Sequence, residues 1–229
     1  MKNILARGGI EFLAVFLGIA LSLWVDEYQK SKEAKKLNDQ ILSRLYDNLE
    51  ADSIDAEWNH KAHELAYESG NLIFKWCEEG QPQNDSINLY LSRLAIATIL
   101  VNNEEEYNAL KSSGRMELLE NEDIVSTLHD YYTWIRYVKK VENTVINIVE
   151  NQFIPFMSNY ATFYGKSKTA NVYSNDYPFF KVSNYPPAGE LSFHATYCST
   201  YAKYSLDVYR GLIERVIKLR KVIREELST

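Results

Sequence analysis

Residues 10–49 read IEFLAVFLGIALSLWVDEYQKSKEAKKLNDQILSRLYDNL, and this stretch decides the architecture. From Ile4 to Val25 only Arg7 and Glu11 carry charge. As a helix those residues extend roughly 33 Å, close to the ~30 Å hydrocarbon core of a bilayer. Phe12, Leu13, Val15, Phe16, Leu17, Ile19, Leu21 and Leu23 occupy nearly the whole circumference. No polar face is left to turn to water, which argues against a core helix of a soluble domain. A cleaved signal peptide would need a small-x-small site after the apolar run, whereas the chain continues directly into VDEYQKSKEAKK. The expectation is a retained single-pass anchor over residues 1–26 and a soluble helical domain over 27–229.

Within the anchor, Ala14, Gly18 and Ser22 recur every four residues, and Glu11 lies on the same stripe about one turn earlier. Small-xxx-small stripes let helices approach closely in lipid, where association rests on packing rather than on the hydrophobic effect. These four residues are the candidate site, a membrane-helix interface or pore lining, and they predict a homo-oligomer. A carboxylate is costly among acyl chains, so Glu11 is expected to face partner helices, an aqueous lumen or the headgroups. The plainer alternative is that Glu11 snorkels to the near surface and pairs with Arg7, one turn away. Lys30, Lys32, Lys35 and Lys36 follow the span, against Lys2 and Arg7 before it. By the lysine and arginine count, the main domain is expected on the cytoplasmic side of a bacterial cell membrane.

The apolar spacing continues beyond the anchor. Leu37, Ile41, Leu45 and Leu49 step by four, so the anchor and a following rod form one helix. Trp58, Leu65, Leu72 and Trp76 predict a second helical stretch ending around Cys77 to Gly80, before the breaker-rich GQPQND. SINLYLSRLAIATILV is too short to span a membrane with Arg93 in its middle, so it reads as a central core helix capped by Asp85. Gly114 is expected to close the next helix, and Asn121 to cap one that runs through VINIVENQF to Pro155. Residues 156–193 are dense in Tyr, Asn, Ser and Pro and predict a long ordered loop with at most a short hairpin, either a lid on the bundle or a recognition loop. A final helix over about 193–227 carries Val208, Leu212, Val216, Leu219, Ile223 and Leu227, widened by Ile213 and Ile217, and should pack beside the rod. The fold class is therefore all-α.

Composition narrows the function. A net charge of −6 argues against a nucleic-acid partner, because phosphate binding needs an excess of Lys and Arg. Lys218, Lys221 and Arg224, with Arg210 and Arg220, offer a local basic face, diluted by Glu214, Glu225 and Glu226 into an ordinary solvated one. Cys77 and Cys198 stand far apart without metal or redox spacing and read as two half-buried thiols. Glu57, His60 and His63 carry the Glu-x-x-His step of helical-bundle metal sites, but His129 and His194 supply no matching pair, so neither a metal nor a cofactor is expected. With no phosphate-binding loop and no nucleophile elbow, the chain is expected not to be an enzyme.

Two blocks carry a resemblance. The 10–49 stretch resembles a widespread bacterial family of single-pass proteins that begin with a Glu-containing membrane helix with a Gly-Ile-x-x-x-Leu core. YNALKSSGRMELLENEDIVSTLHDYY is similar to that family's second block, a Leu-Lys-Ser-Ser-Gly turn followed by a helix ending in a Tyr pair. Together the blocks cover under a third of the chain. The chain departs from the pattern at Trp24, Val25, Asp26 and Glu27, where the family shows Asn-Asn-Trp. The resemblance implies a membrane helix and a long charged helix, and no activity. In layout the chain also looks like antiphage membrane effectors that oligomerise and open pores. The functional expectation is a pore-forming or membrane-disrupting effector in contact with lipid and gated by a ligand or cytoplasmic partner. The alternative is a passive anchor or scaffold.

Overall fold

The computed structural model describes residues 2–163 and 180–228, with side chains from Phe12 onward apart from that of Phe163. The first helix, α1, runs unbroken from Lys2 to Glu78. At 1.5 Å per residue it is about 115 Å long. The expected second helix near Trp58 is a continuation of the first. No Gly or Pro lies between positions 19 and 69, so nothing in the sequence interrupts the hydrogen-bond ladder. The end falls where expected: Gly80 and Gln81 both take positive φ, 80° and 56°, and Gln81 N–H donates back to the Trp76 carbonyl.

Two faces of α1 behave differently. From Phe12 to Lys36 its large side chains are exposed, and burial begins around Leu37. From there Leu45, Leu49, Asp52, Ala56, Asn59, His63, Ala66, Ile73 and Cys77 are buried, in steps of mostly four and three. Of Trp58, Leu65, Leu72 and Trp76, which marked the stretch as helical, Trp76 is buried, Trp58 and Leu65 are half-buried and Leu72 is exposed. The buried seam keeps a heptad phase and is small or polar at its centre.

After α1 comes α2 (Ile87–Leu94), preceded by Ser86 rather than capped by Asp85. Asn84 Oδ1 supplies the local turn by accepting from Ser86 N–H at 2.9 Å. The expected core helix over SINLYLSRLAIATILV stops at Leu94, and residues 96–103 form no regular secondary structure. Ile96, Thr98, Ile99 and Val101 are β-branched and disfavour a helix there. Helix α3 (Glu105–Ser112) ends at Gly114 with φ 70°, followed by a 3-10 turn over Arg115–Leu118. Helix α4 (Glu122–Ile148) starts on Asn121, whose Oδ1 accepts from Asp123 N–H at 3.0 Å and Ile124 N–H at 3.3 Å. A π turn (Val149–Phe153) leads into the short α5 (Ile154–Met157).

The predicted loop contains a two-strand antiparallel pair, β1 (Ala161–Phe163) with β2 (Phe180–Val182), and Ala161 pairs with Val182. Most of the remaining loop lies outside the described residues. Strand β2 is tied to α2, with Phe180 N–H donating to Ser92 Oγ and Val182 N–H to Asn88 Oδ1. The last helix, α6 (Ala188–Leu227), begins five residues earlier than expected, after Pro187. Its Val208, Leu212, Val216, Leu219 and Ile223 are buried against α1 and α4, as the spacing implied, while Ile217 is exposed.

The bundle is therefore α1, α4 and α6. Helix α6 packs on both others, whereas the α1 and α4 backbones hardly approach each other. Two apolar clusters fill it. One, around Leu42, Leu45, Tyr131, Leu212 and Ile223, lies toward the neck of the rod. The other, around Ile73, Leu91, Phe153, Met157 and Leu191, lies at the far end. Gly70 permits the α1–α6 approach, since a Cβ there would lie 2.4 Å from Ser199 Cβ.

Candidate functional site

The sequence-predicted site lies on the uncovered part of α1. Ala14, Gly18 and Ser22 are exposed, and a Cβ at Gly18 would meet nothing within 4 Å. Ala14, Gly18 and Ser22 thus share an open face of the helix, and among the described residues none covers it. The side chain of Glu11 lies outside the described residues, although its backbone is helical. Phe12, Leu13, Val15, Phe16, Leu17, Ile19, Leu21 and Leu23 are more than half exposed. This is a helix apolar and long enough to cross a membrane. Covering such a surface takes lipid or other protein chains.

Between the apolar run and the bundle stands a bare neck, residues 26–36, about 16 Å of helix. Trp24 and Tyr28 stack one turn apart at its foot, with ring centroids 6.0 Å apart. Lys30 pairs with Asp26 at 2.7 Å across a fully solvated i, i+4 step. At the opposite end of α6 runs an aromatic row, exposed at Phe193 and Tyr204 and half-buried against the far-end cluster at Tyr197 and Tyr201. Phe193 stacks on Tyr197, Tyr197 meets Tyr201 edge-on, and the Tyr204 hydroxyl bonds that of Tyr137. Phe193 is 66% exposed.

A second constellation was not anticipated from the sequence. The irregular segment 98–103 bridges α1 and α4, and three carboxylates, those of Asp52 and Glu142 buried and that of Asp55 half-buried, serve its backbone amides. Glu142 of α4 accepts Leu100 N–H at 2.7 Å; Asp55 and Asp52 of α1 accept Val101 N–H at 2.9 Å and Asn103 N–H at 3.0 Å. Each carboxylate takes a further donor: the Tyr209 hydroxyl on Glu142, the Tyr131 hydroxyl on Asp52 at 2.5 Å, and Asn59 Nδ2 on Asp55 at 2.8 Å. Tyr132 donates to the Asn103 carbonyl at 3.0 Å. Burial raises all three carboxyls above their ordinary values, with the donors partly offsetting it. Burial and the adjacent carboxylates raise the Tyr131 and Tyr209 phenols, which therefore stay protonated as donors. The geometry is that of a clamp on a chain segment whose amides have no helix or sheet to bond with. The sequence signal for it was an acidic residue interrupting each apolar stripe: Asp52 after Leu45 and Leu49, and Glu142 between Val138 and Val145.

His63 lies beside the clamp at 1% exposure, sharing a 3.0 Å hydrogen bond with Thr98 and stacked on Tyr209. Burial, and secondarily the neighbouring His60, lower its pKa from 6.5 to about 4. The Glu57, His60, His63 step does not converge: Glu57 is exposed, His60 half-buried and His63 buried. Among the described residues no group of three metal-ligating side chains comes together. His129 bonds the Tyr107 hydroxyl through Nδ1 at 3.1 Å, and His194 stacks on Phe156. Cys77 and Cys198 are buried rather than half-buried, both within the far-end cluster. Desolvation pushes the Cys198 thiol up to about 12. The basic side of α6 is largely engaged: Arg220 lies 4.4 Å over the Tyr46 ring, Arg224 donates to the Tyr46 hydroxyl at 2.5 Å, and Lys221 pairs with Glu225.

No protein-family model matches the chain, and neither does any curated protein or solved structure.

Proposed function

We propose that the chain is a single-pass membrane protein whose copies associate through the stripe of Glu11, Ala14, Gly18 and Ser22. In this reading the bundle sets how those membrane helices pack, as in a pore-forming or membrane-disrupting effector. One observation carries the reading: the apolar run over residues 12–25 is uncovered and continues without a break into the bundle as the same helix. An uninterrupted helix passes a reorientation of the bundle to the lipid-embedded end, and a small-residue stripe gives that end a face for close packing. Facing inward in such an assembly, Glu11 forms a ring of carboxylates.

The test uses Glu11→Gln and Gly18→Leu. A Cβ at position 18 would meet nothing within 4 Å among the described residues, so leucine there tests what surrounds the helix rather than the packing of the bundle. Each variant is expected to alter conductance in reconstituted bilayers or toxicity on expression while the bundle stays folded by circular dichroism. Unchanged behaviour in both discards the effector reading.

A second reading, a passive anchor holding a partner protein, draws on the exposed Phe193 and Tyr204 at the two ends of the aromatic row on α6. Exposed aromatic side chains are favoured anchors at protein interfaces. Under this reading, replacing residues 10–25 by a foreign membrane helix of equal length preserves function, and under the effector reading it does not.

A further inference from the structure

We infer that the neck of α1 is an acidic-lipid contact, with Lys32, Lys35 and Lys36 binding anionic headgroups on the side of the helix marked by Trp24 and Tyr28. The inference rests on the reading of residues 12–25 as membrane-embedded. Three observations place it. First, Trp24, Tyr28, Lys32 and Lys36 step by four, so the stacked aromatic pair and the lysines form one slanting stripe, with Lys35 beside it. Paired Trp and Tyr rings favour the headgroup level of a bilayer. Second, lysines outnumber acids on this side: Lys32, Lys35 and Lys36 share one surface with Glu33 and Asp39. Asp26 and Lys30 follow a different line, which continues into Leu37, Ile41 and Leu45 of the bundle seam, and the Lys30–Asp26 pair neutralises itself there. Glu27 lies off the lysine stripe, and Asp39 shares the lysine side one turn further from the apolar run. Third, the lysine side stays free along its course: Lys32, Lys35, Lys36, Gln40 and Ser43 are all exposed, because the bundle covers the other side.

The distances suit a headgroup layer. Lys32 lies seven residues past Val25, about 10 Å along the axis, and Lys36 about 16 Å, before the reach of flexible side chains toward the membrane is counted. With a lysine side chain reaching about 6 Å back toward the membrane, Lys32 comes well within the roughly 8–10 Å over which the potential of an anionic leaflet decays at moderate salt, and Lys36 comes to its outer limit. Two or three lysines there draw acidic lipids toward the helix and weaken their hold as salt rises.

The test reads lipid composition next to Trp24. The other tryptophans, Trp58, Trp76 and Trp134, belong to the bundle, beyond the reach of lipid-borne quenchers. Full-length protein is reconstituted into vesicles of phosphatidylcholine with one-quarter phosphatidylglycerol, with bromine on the chains of either lipid in turn. Brominated phosphatidylglycerol is expected to quench Trp24 roughly twofold or more beyond its share of the bilayer. The excess should disappear at high salt and in the triple variant Lys32→Gln, Lys35→Gln, Lys36→Gln, and persist in Lys218→Gln, Lys221→Gln. Quenching in proportion to bulk composition overturns the inference while leaving the membrane reading intact. An excess that survives the triple substitution removes the lysines from it. Absence of quenching by either lipid overturns the membrane placement of Trp24 and the inference with it.

Discussion

His63 gives the bundle an acid-sensitive term whose size follows from its surroundings. It is 1% exposed, bonded to Thr98 and stacked on Tyr209, and its folded pKa is lowered to about 4 against an ordinary 6.5. The unfolded chain therefore takes up a proton at pH values where the folded chain does not. Stability is unaffected by this group above pH 6.5 and is lost as pH falls from 6.5 toward 4. At 1.36 kcal/mol per pH unit, the loss is about 2 kcal/mol at pH 5 and roughly 3 kcal/mol below pH 4. Asp52, Asp55 and Glu142 act in the opposite sense. Their folded pKa values are raised, so their contribution is fully present below the unfolded values of about 4 and fades as pH rises through the folded ones. The comparison must therefore be between wild type and His63→Gln, which shares the carboxylates and removes the imidazole. Urea unfolding in mild detergent, followed by near-ultraviolet circular dichroism, is expected to show the wild-type midpoint falling by about 1 M more than that of His63→Gln between pH 7.5 and pH 5. Parallel pH dependence in the two proteins would refute the assignment of a buried, neutral imidazole.

The clamp makes a contrasting pair of predictions. Glu142→Ala leaves the Leu100 amide and the Tyr209 hydroxyl buried without an acceptor and is expected to cost about 2–4 kcal/mol, whereas Glu142→Gln keeps an acceptor oxygen and costs about 1 kcal/mol or less; denaturation of the two variants measures both. Ser31→Pro interrupts α1 in the exposed neck, so the bundle's unfolding midpoint should not move. Conductance or toxicity should then be lost under the effector reading and retained under the anchor reading.

How much of this the sequence discloses depends on the range of the interaction. The Asn121 cap and the Gly114 stop are local, fixed by one side-chain oxygen and one positive φ, and they stand where the residue types placed them. The exposed apolar run was equally plain, because it has no polar face for water to favour. Phase and partner are non-local. The apolar density of residues 86–101 fits a buried helix or a buried extended segment equally well, and only the β-branching of Ile96, Thr98, Ile99 and Val101 separates them. The buried seam of α1 beyond Leu49 is not visible in the apolar pattern, because its occupants Asp52, Asn59 and His63 are polar and contribute nothing to an apolar period. The clamp joins Asp52 to Asn103 and Leu100 to Glu142 across dozens of residues, a pairing that no window along the chain contains.

The same arrangement links the bundle to the uncovered end. Helix α1 is held on one side by α6 and on the other by a segment that has no regular structure of its own and depends on Asp52, Asp55 and Glu142 for its position. The angle of α1 in the bundle is thus set partly by side-chain hydrogen bonds rather than by helix-on-helix packing alone. Asp52 lies 27 residues beyond Val25, about 40 Å along the axis. With no Gly or Pro between positions 19 and 69 to absorb a bend, a tilt of about 5° at the clamp displaces the end of the apolar run by roughly 3–4 Å, a large part of the 8–10 Å separation at which two helices pack. Under the proposed reading, a modest change in how the 98–103 segment is held is therefore enough to remake or break close contacts between copies of α1 in the membrane, with no rearrangement of either apolar cluster.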